Sequence, residues 1–225
     1  MSAGREEILS AIRRSLGRGP LTGPELESLE ARLAAHPRHI IPSRVDLDAG
    51  RLANLFISKA RGVSASVDEI GSMGEVPAAV AAYLARENLP ARLVAAPALA
   101  PMDWSAAPML EVRSGAARET DDVGLAVAEA GVAETGTLVL ASGPDTPTTL
   151  NFVPPTHIVV LPRDRIVGSY EEAWDGVRDR ASRTGQPRAA NFITGPSRTG
   201  DIEQKIEIGV HGPLRLHILI VGEAP

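Results

Sequence analysis

A carboxylate and two hydroxyls flank a glycine in the segment Glu134–Thr137, directly before the apolar run Leu138–Leu140. A carboxylate can act as a nucleophile or a base, and a glycine lets the backbone come close to a ligand. The alternative is a turn that feeds a strand, with threonines favoured by strand propensity. We take Glu134 as the candidate catalytic carboxylate and Thr135, Gly136 and Thr137 as candidate ligand-binding residues.

A second group of polar residues, Gly195–Glu203, follows the apolar run Asn191–Ile193. A strand that leads through Gly, Ser and Thr into a helical turn is a common anion site, because free backbone N–H groups at the helix start point at the ligand. Hydroxyls and a guanidinium would add donors. The alternative is a capped short helix whose arginine pairs with a neighbouring acid. The candidate ligand-binding residues are Gly195, Ser197, Arg198, Thr199 and Asp201.

Two further polar positions complete the candidate site. His211 stands between glycines with little cover from its neighbours, so it either reaches a cleft or bonds to backbone in a tight turn. Asn151 follows the loop Gly143–Pro147. His157 begins a predicted strand, where a lone histidine is more often packed than catalytic. No spacing of His, Asp and Glu is typical of a zinc site, so we predict no metal.

The elements that must position these residues fall into two parts. Residues 1–60 predict a helical N-terminal extension, and residues 61–225 predict an α/β domain in which short apolar strands alternate with helices. Such alternation favours parallel pairing, and the scarcity of helix in the last third favours antiparallel pairing there. The predicted strands are 63–67, 91–95, 109–112, 124–128, 137–141, 157–161, 189–193 and 216–221.

Composition excludes several chemistries. The 225 residues include no cysteine, so the chain forms no disulfide and supplies no thiolate to zinc or to an iron–sulfur cluster. The net charge of −5 argues against a general nucleic-acid binder. The first ten residues contain acids and no apolar core, and no apolar stretch reaches the length of a membrane span. We therefore expect a cytoplasmic protein.

Three segments carry a resemblance to a known family: AETGTLVL at Ala133–Leu140, NFVPPTHIVVL at Asn151–Leu161, and GPSRTGDIEQKIEIGVHGP at Gly195–Pro213. They resemble the lactate utilization protein C family (LutC/YkgG), and the opening REEILSAI at Arg5–Ile12 is similar to that family's start. The resemblance covers most of the chain and is sharpest after residue 120. The family usually carries Ala where this chain has Gly200.

The resemblance implies a LUD domain, with an open-sheet core similar to the NagB, RpiA and CoA-transferase superfamily. It also implies a part in oxidising L-lactate to pyruvate together with two larger partner proteins, one of which carries iron–sulfur clusters. Because this chain has no cysteine, its part would be non-redox: binding a small carboxylate or phosphate, or stabilising the complex. The resemblance carries over no catalytic residue.

A second hypothesis comes from a different class of protein. A free-standing enzyme of the CoA-transferase or sugar-phosphate isomerase kind would use Glu134 as its carboxylate beside an anion-binding loop at Ser197–Thr199. This rests on likeness of fold alone, which is weak support for a function. A homo-oligomer built through the N-terminal helices is compatible with either hypothesis.

Overall fold

The computed structural model describes residues 3–19, 21, 23–202 and 205–223. They divide into two compact units, Met1–Ile40 and Ile41–Pro225. The described residues form five α-helices: α1 (Ala3–Ser15), α2 (Pro24–Ala35), α3 (Ala49–Gly62), α4 (Val76–Arg86) and α5 (Tyr170–Thr184).

The described residues also form twelve strands. They are β1 (Ser66–Ile70), β2 (Arg92–Ala95), β3 (Glu111–Ser114), β4 (Val123–Val127), β5 (Ala130–Val132), β6 (Thr137–Ala141), β7 (Thr156–Pro162), β8 (Ile166–Val167), β9 (Ala190–Ile193), β10 (Arg198–Ile202), β11 (Lys205–Ile208) and β12 (Arg215–Val221).

The first unit contains α1 and α2. Helix α2 begins at Pro24, where a missing N–H costs nothing, and its C-terminal cap His36 adopts a left-handed backbone. None of the α2 residues is buried. The sequence placed a boundary at residues 60/61, whereas the contacts place it at 40/41, because α3 packs its buried face against the sheet of the second unit.

The second unit is built on a six-stranded sheet in the order β1-β12-β7-β4-β2-β3, with every neighbouring pair parallel. Parallel strands covered on both faces are continuous apolar runs rather than alternating ones. The runs Ile158–Leu161 and Ile218–Val221 fit this rule and are completely or almost completely buried. The predicted α/β class with a mainly parallel sheet is confirmed.

Side-chain alternation along the central strands creates two cores. Ile158, Val160 and Leu219 face α4, where they pack with Val80. Neighbouring side chains point the other way: Val159, Leu161 and Ile218 pack beneath α3 and a second sheet. His157 has the same parity as Val159 and Leu161, and His217 the same parity as Leu219. The two buried histidines therefore lie on opposite faces of one sheet.

The second sheet has four strands in the order β8-β5-β6-β9. Its β5–β6 and β6–β9 pairs are antiparallel, and β5–β8 is parallel. Helix α5 covers its outer face through Ala173 and Val177. A capping box fixes the start of α5, because Ser169 and Glu172 satisfy each other's backbone N–H groups.

A two-stranded antiparallel hairpin, β10–β11, stands apart from both sheets. The sequence predicted a helical turn at Ser197–Thr199, and this prediction is wrong: Arg198–Ile202 is a strand. Thr199 pairs with Glu207, and Arg198 pairs with Ile208. The partner sequence Lys-Ile-Glu-Ile alternates polar and apolar residues, which favours pairing as a strand over a helical continuation.

Candidate functional site

A small pocket lies where the second sheet meets the amino ends of two central strands. Its volume is about 240 Å³. The walls come from the end of β9, the starts of β7 and β12, and the segments around residues 151 and 211. The lining residues are Asn151, Phe152, His157, Phe192, Ile193, Gly195, Ser197, His211, Gly212, Pro213 and Leu216.

Four of the predicted ligand-binding residues come together here: Asn151, Gly195, Ser197 and His211. Asn151 is only 5% exposed, whereas His211 is exposed. They derive from three segments that are distant in sequence, so the fold brings together residues that the sequence indicated separately. Whether they bind a ligand stays a prediction.

Backbone contacts hold the Ser197 segment against the His211 segment. The Ser197 N–H donates to the Pro213 carbonyl over 2.9 Å, and the Gly209 N–H donates to the Ser197 carbonyl over 2.9 Å. A Cβ at Gly212 would lie 3.0 Å from the Ser197 Cβ, so glycine allows this close approach. The pocket wall is thus fixed by backbone hydrogen bonds.

His157 is the most buried of the polar residues that line the pocket. Its ring is fully buried, and neither ring nitrogen has a hydrogen-bond partner within the described part of the chain. Burial lowers the pKa of His157 to about 3, so the imidazole is neutral at physiological pH. A neutral imidazole offers one donor and one acceptor. Both are unused here.

Apolar side chains dominate the rest of the wall, and the sequence analysis did not select them. Two of the chain's three phenylalanines, Phe152 and Phe192, line the pocket together with Ile193, Pro213 and Leu216. In a chain with 3% aromatic residues, the position of Phe152 directly after Asn151 was the available signal. Among the described residues that line the pocket, none is Lys or Arg.

Arg198 does not belong to this lining. Its Nη2 donates to the Val63 carbonyl and to the Ser64 hydroxyl, each over 2.9 Å. The guanidinium therefore fastens the hairpin to the turn between α3 and β1. Thr199 lies in the hairpin outside the pocket lining, and the side chain of Asp201 lies outside the described part of the structure.

Glu134 also lies outside the pocket lining. Its Oε1 accepts a hydrogen bond from Arg44 Nη2 at 2.5 Å, and its side chain is 14% exposed. The neighbouring Gly136 has φ +72°, and any Cβ there would overlap the backbone of Ala60. This glycine lets β6 pack against the end of α3.

The two threonines of this segment belong to a hydroxyl cluster. Thr137 Oγ1 lies 2.7 Å from Thr135 Oγ1, 2.9 Å from the Tyr170 hydroxyl and 2.6 Å from Thr194 Oγ1. Thr194 directly precedes Gly195 of the pocket wall. The cluster thus links the Glu134–Thr137 segment to the pocket without lining it.

The LUD domain family model matches residues 42–221. This covers more than half of the chain and nearly all of the second unit. The chain belongs to the LUD domain family.

Curated relatives of this LUD domain protein confirm its resemblance to the lactate utilization protein C family. Lactate utilization protein C of Geobacillus thermodenitrificans is 36% identical over 106 residues, which are 47% of this chain and 44% of that protein. The same-named protein of Bacillus subtilis gives the same identity and coverage. An uncharacterized protein of Neisseria meningitidis is 37% identical over 100 residues, 44% of this chain and 42% of its own. The matches span less than half the length of these relatives.

Among solved structures, the LUD domain protein is similar to a DUF162 family protein of Deinococcus radiodurans. The TM-score is 0.60 at 26% identity, and the match covers 78% of this chain and 99% of that one. Within the described residues no helix is long and apolar enough to cross a membrane. The same residues contain no group of three His, Asp or Glu that could hold a metal ion.

Proposed function

We propose that this chain is a non-redox component of an L-lactate oxidation system, which converts lactate to pyruvate with iron–sulfur partner proteins in the cytoplasm. The observation that carries the proposal is its similarity to proteins named lactate utilization protein C. Within that system, we place a small carboxylate ligand in the pocket of Asn151, His157, Ser197 and His211.

The size and polarity of the pocket support a small hydroxy or oxo acid. A volume of about 240 Å³ lies below the range of roughly 300–1,000 Å³ that is usual for drug-sized ligands. Apolar walls such as Ile193 and Leu216 suit a methyl group. The buried amide of Asn151 and the hydroxyl of Ser197 suit polar oxygens, and the exposed His211 leaves the ligand's carboxylate near water at the mouth.

The absence of cysteine supports the proposal that the iron–sulfur clusters are held by other chains. Iron–sulfur clusters are held mainly by cysteine thiolates, and this sequence has none to offer. In the proposed system two partner proteins accompany this chain, and one of them carries the clusters. This chain then binds substrate or product, or stabilises the assembly.

Reconstitution tests the proposal. The two partner proteins are assayed for lactate-dependent reduction of an artificial electron acceptor, with and without this chain. We expect this chain to raise the rate at least severalfold, and Ser197→Ala to lose part of that gain. Thr199→Val is the matched control, because it removes a nearby hydroxyl that does not line the pocket. Full activity from the partners alone would overturn the proposal.

The alternative of a free-standing CoA-transferase-like or isomerase-like enzyme depends on Glu134. The carboxylate is engaged by Arg44 and lies outside the pocket lining, so the geometry gives this alternative less support. Its test is a panel of acyl-CoA and sugar-phosphate substrates with wild type and Glu134→Gln. Turnover by the wild type that Glu134→Gln abolishes would favour the alternative.

A further inference from the structure

The unused hydrogen-bonding groups of His157 indicate what part of a ligand the pocket recognises. Polar groups buried in proteins are nearly always hydrogen-bonded, and leaving them unpaired costs free energy. Both ring nitrogens of His157 are buried without a partner among the described residues, and His157 is one of the residues that line the pocket. A ligand that occupies the pocket and bonds to this ring recovers the lost interaction.

The chemical character of the ring narrows the matching group. Burial holds the pKa of His157 at about 3, so the ring carries no charge with which to balance a carboxylate. A neutral imidazole can accept from a hydroxyl through one nitrogen or donate to a carbonyl through its N–H. The ring can therefore hydrogen-bond to an uncharged oxygen of the ligand, whether that oxygen belongs to a hydroxyl or to a carbonyl group.

The surroundings of the ring indicate which oxygen of the ligand would bond to His157. No Lys or Arg occurs among the described lining residues, so a carboxylate is best placed at the mouth, near exposed His211 and water. Most of the other lining residues are apolar, and Leu216 is paired with His157 in the register of β12 and β7. An oxygen on the carbon next to the carboxylate is the part of a small acid that would reach into this region.

We propose that His157 hydrogen-bonds to the 2-oxygen of the ligand, so that the pocket distinguishes 2-hydroxy and 2-oxo acids from unsubstituted acids of the same length. This inference rests on the proposed function, because it assumes that the pocket takes a small carboxylate. It adds a specificity-determining residue that contacts the ligand directly.

Binding titrations of the full chain test the inference with L-lactate, pyruvate and propionate as probes. Propionate keeps the carboxylate and the carbon chain of lactate and lacks only the 2-oxygen. We expect wild type to bind lactate and pyruvate about tenfold more tightly than propionate, as one hydrogen bond to a buried group requires. In His157→Leu this preference should fall to about onefold, while His157→Gln, which keeps a donor and an acceptor, should retain part of it.

His217→Gln is the matched control, since it alters a second buried histidine that does not line the pocket. It should keep the tenfold preference. If His157→Leu fails to fold, ¹⁵N spectra of the wild-type imidazole decide the matter: lactate should shift the His157 ring nitrogens and propionate should not.

The outcomes separate the two proposals. Equal affinity of wild type for lactate and propionate, or an unchanged preference in folded His157→Leu, refutes the role of His157 and leaves the carboxylate pocket standing. If wild type binds none of the three acids, the ligand assignment in the proposed function fails, and the role of His157 fails with it.

Discussion

Acid should destabilise this fold through its two buried histidines. Burial lowers the pKa of His157 to about 3 and the pKa of His217 to about 4, with nearby Asp68 opposing the shift of His217 in part. In the unfolded chain both side chains have a pKa near 6.5. Below pH 6.5 the two imidazoles are therefore protonated in the unfolded state and stay neutral in the folded state. The contribution of each neutral ring is fully present above pH 6.5 and is lost progressively as the pH falls towards the folded-state pKa.

The size of the effect follows from these values. A pH of 5 lies about 1.5 units below the pKa of an imidazole in the unfolded chain, while the folded rings stay mostly neutral. Each histidine therefore lowers the free energy of unfolding by about 2 kcal/mol at this pH. His157 and His217 face opposite sides of the sheet, and His217 is stacked on Tyr83 with ring centroids 3.9 Å apart. They share no hydrogen-bond partner among the described residues. The costs should add to about 4 kcal/mol.

Urea unfolding at pH 7.5 and pH 5 measures this loss. The two buried histidines should account for about 4 kcal/mol of the unfolding free energy that wild type loses between the two, so His157→Leu and His217→Leu should each lose about 2 kcal/mol less than wild type. Comparing variants cancels the contribution of the carboxylates, which all of them share. If His157→Leu shows the same loss as wild type, the imidazole is charged or hydrated in the folded protein. The His157 ring would then not be an unpaired neutral group.

Two further expectations concern packing. Gly136→Ala should reduce the unfolding free energy by about 3 kcal/mol or more, because it combines a left-handed backbone with overlap on Ala60; thermal and urea unfolding measure it. Gly176→Ala is its control, because this exposed glycine inside α5 has open space around its Cβ position. Alanine there should raise the unfolding free energy by about 0.5–1 kcal/mol, and a lower unfolding free energy would contradict this expectation. Thr137→Val removes the hydroxyl shared by three neighbours and should cost about 1–3 kcal/mol in the same assay, whereas an unchanged midpoint would show that the cluster adds nothing.

The central sheet could be predicted because its strands carry their own signal. The runs in β7 and β12 are continuous and apolar, as buried parallel strands require. Strands β5 and β8 have only three and two residues, too few for a periodic pattern, and the sequence analysis missed them. The β10–β11 hairpin was mistaken for a helix start because Gly, Pro and Ser before polar residues are typical of both.

Residue type alone pointed to some of the residues that line the pocket, but it did not separate them from residues with a structural role. Gly195, Ser197 and His211 were predicted as ligand-binding residues, and the structure places all three in the lining of one pocket. Glu134 was selected for the same reasons, yet its partner Arg44 lies 90 positions earlier in the chain, and local sequence gives no sign of that pairing. Gly136 allows close packing against Ala60. A glycine that lets the backbone approach a ligand looks the same in the sequence, because both roles depend on the missing Cβ.

The position of the pocket affects how it could recognise a ligand. Open parallel sheets usually bind ligands beyond the carboxyl ends of their strands, where helix N-termini add positive charge. Here the pocket lies at the amino ends of β7 and β12, and none of the five described α-helices contributes a lining residue. Without a helix dipole or a lysine or arginine in its described lining, selectivity must come from hydrogen bonds to neutral groups and from shape. We expect such a site to bind the proposed small acid weakly, as a component that exchanges its ligand with the proposed redox partner would.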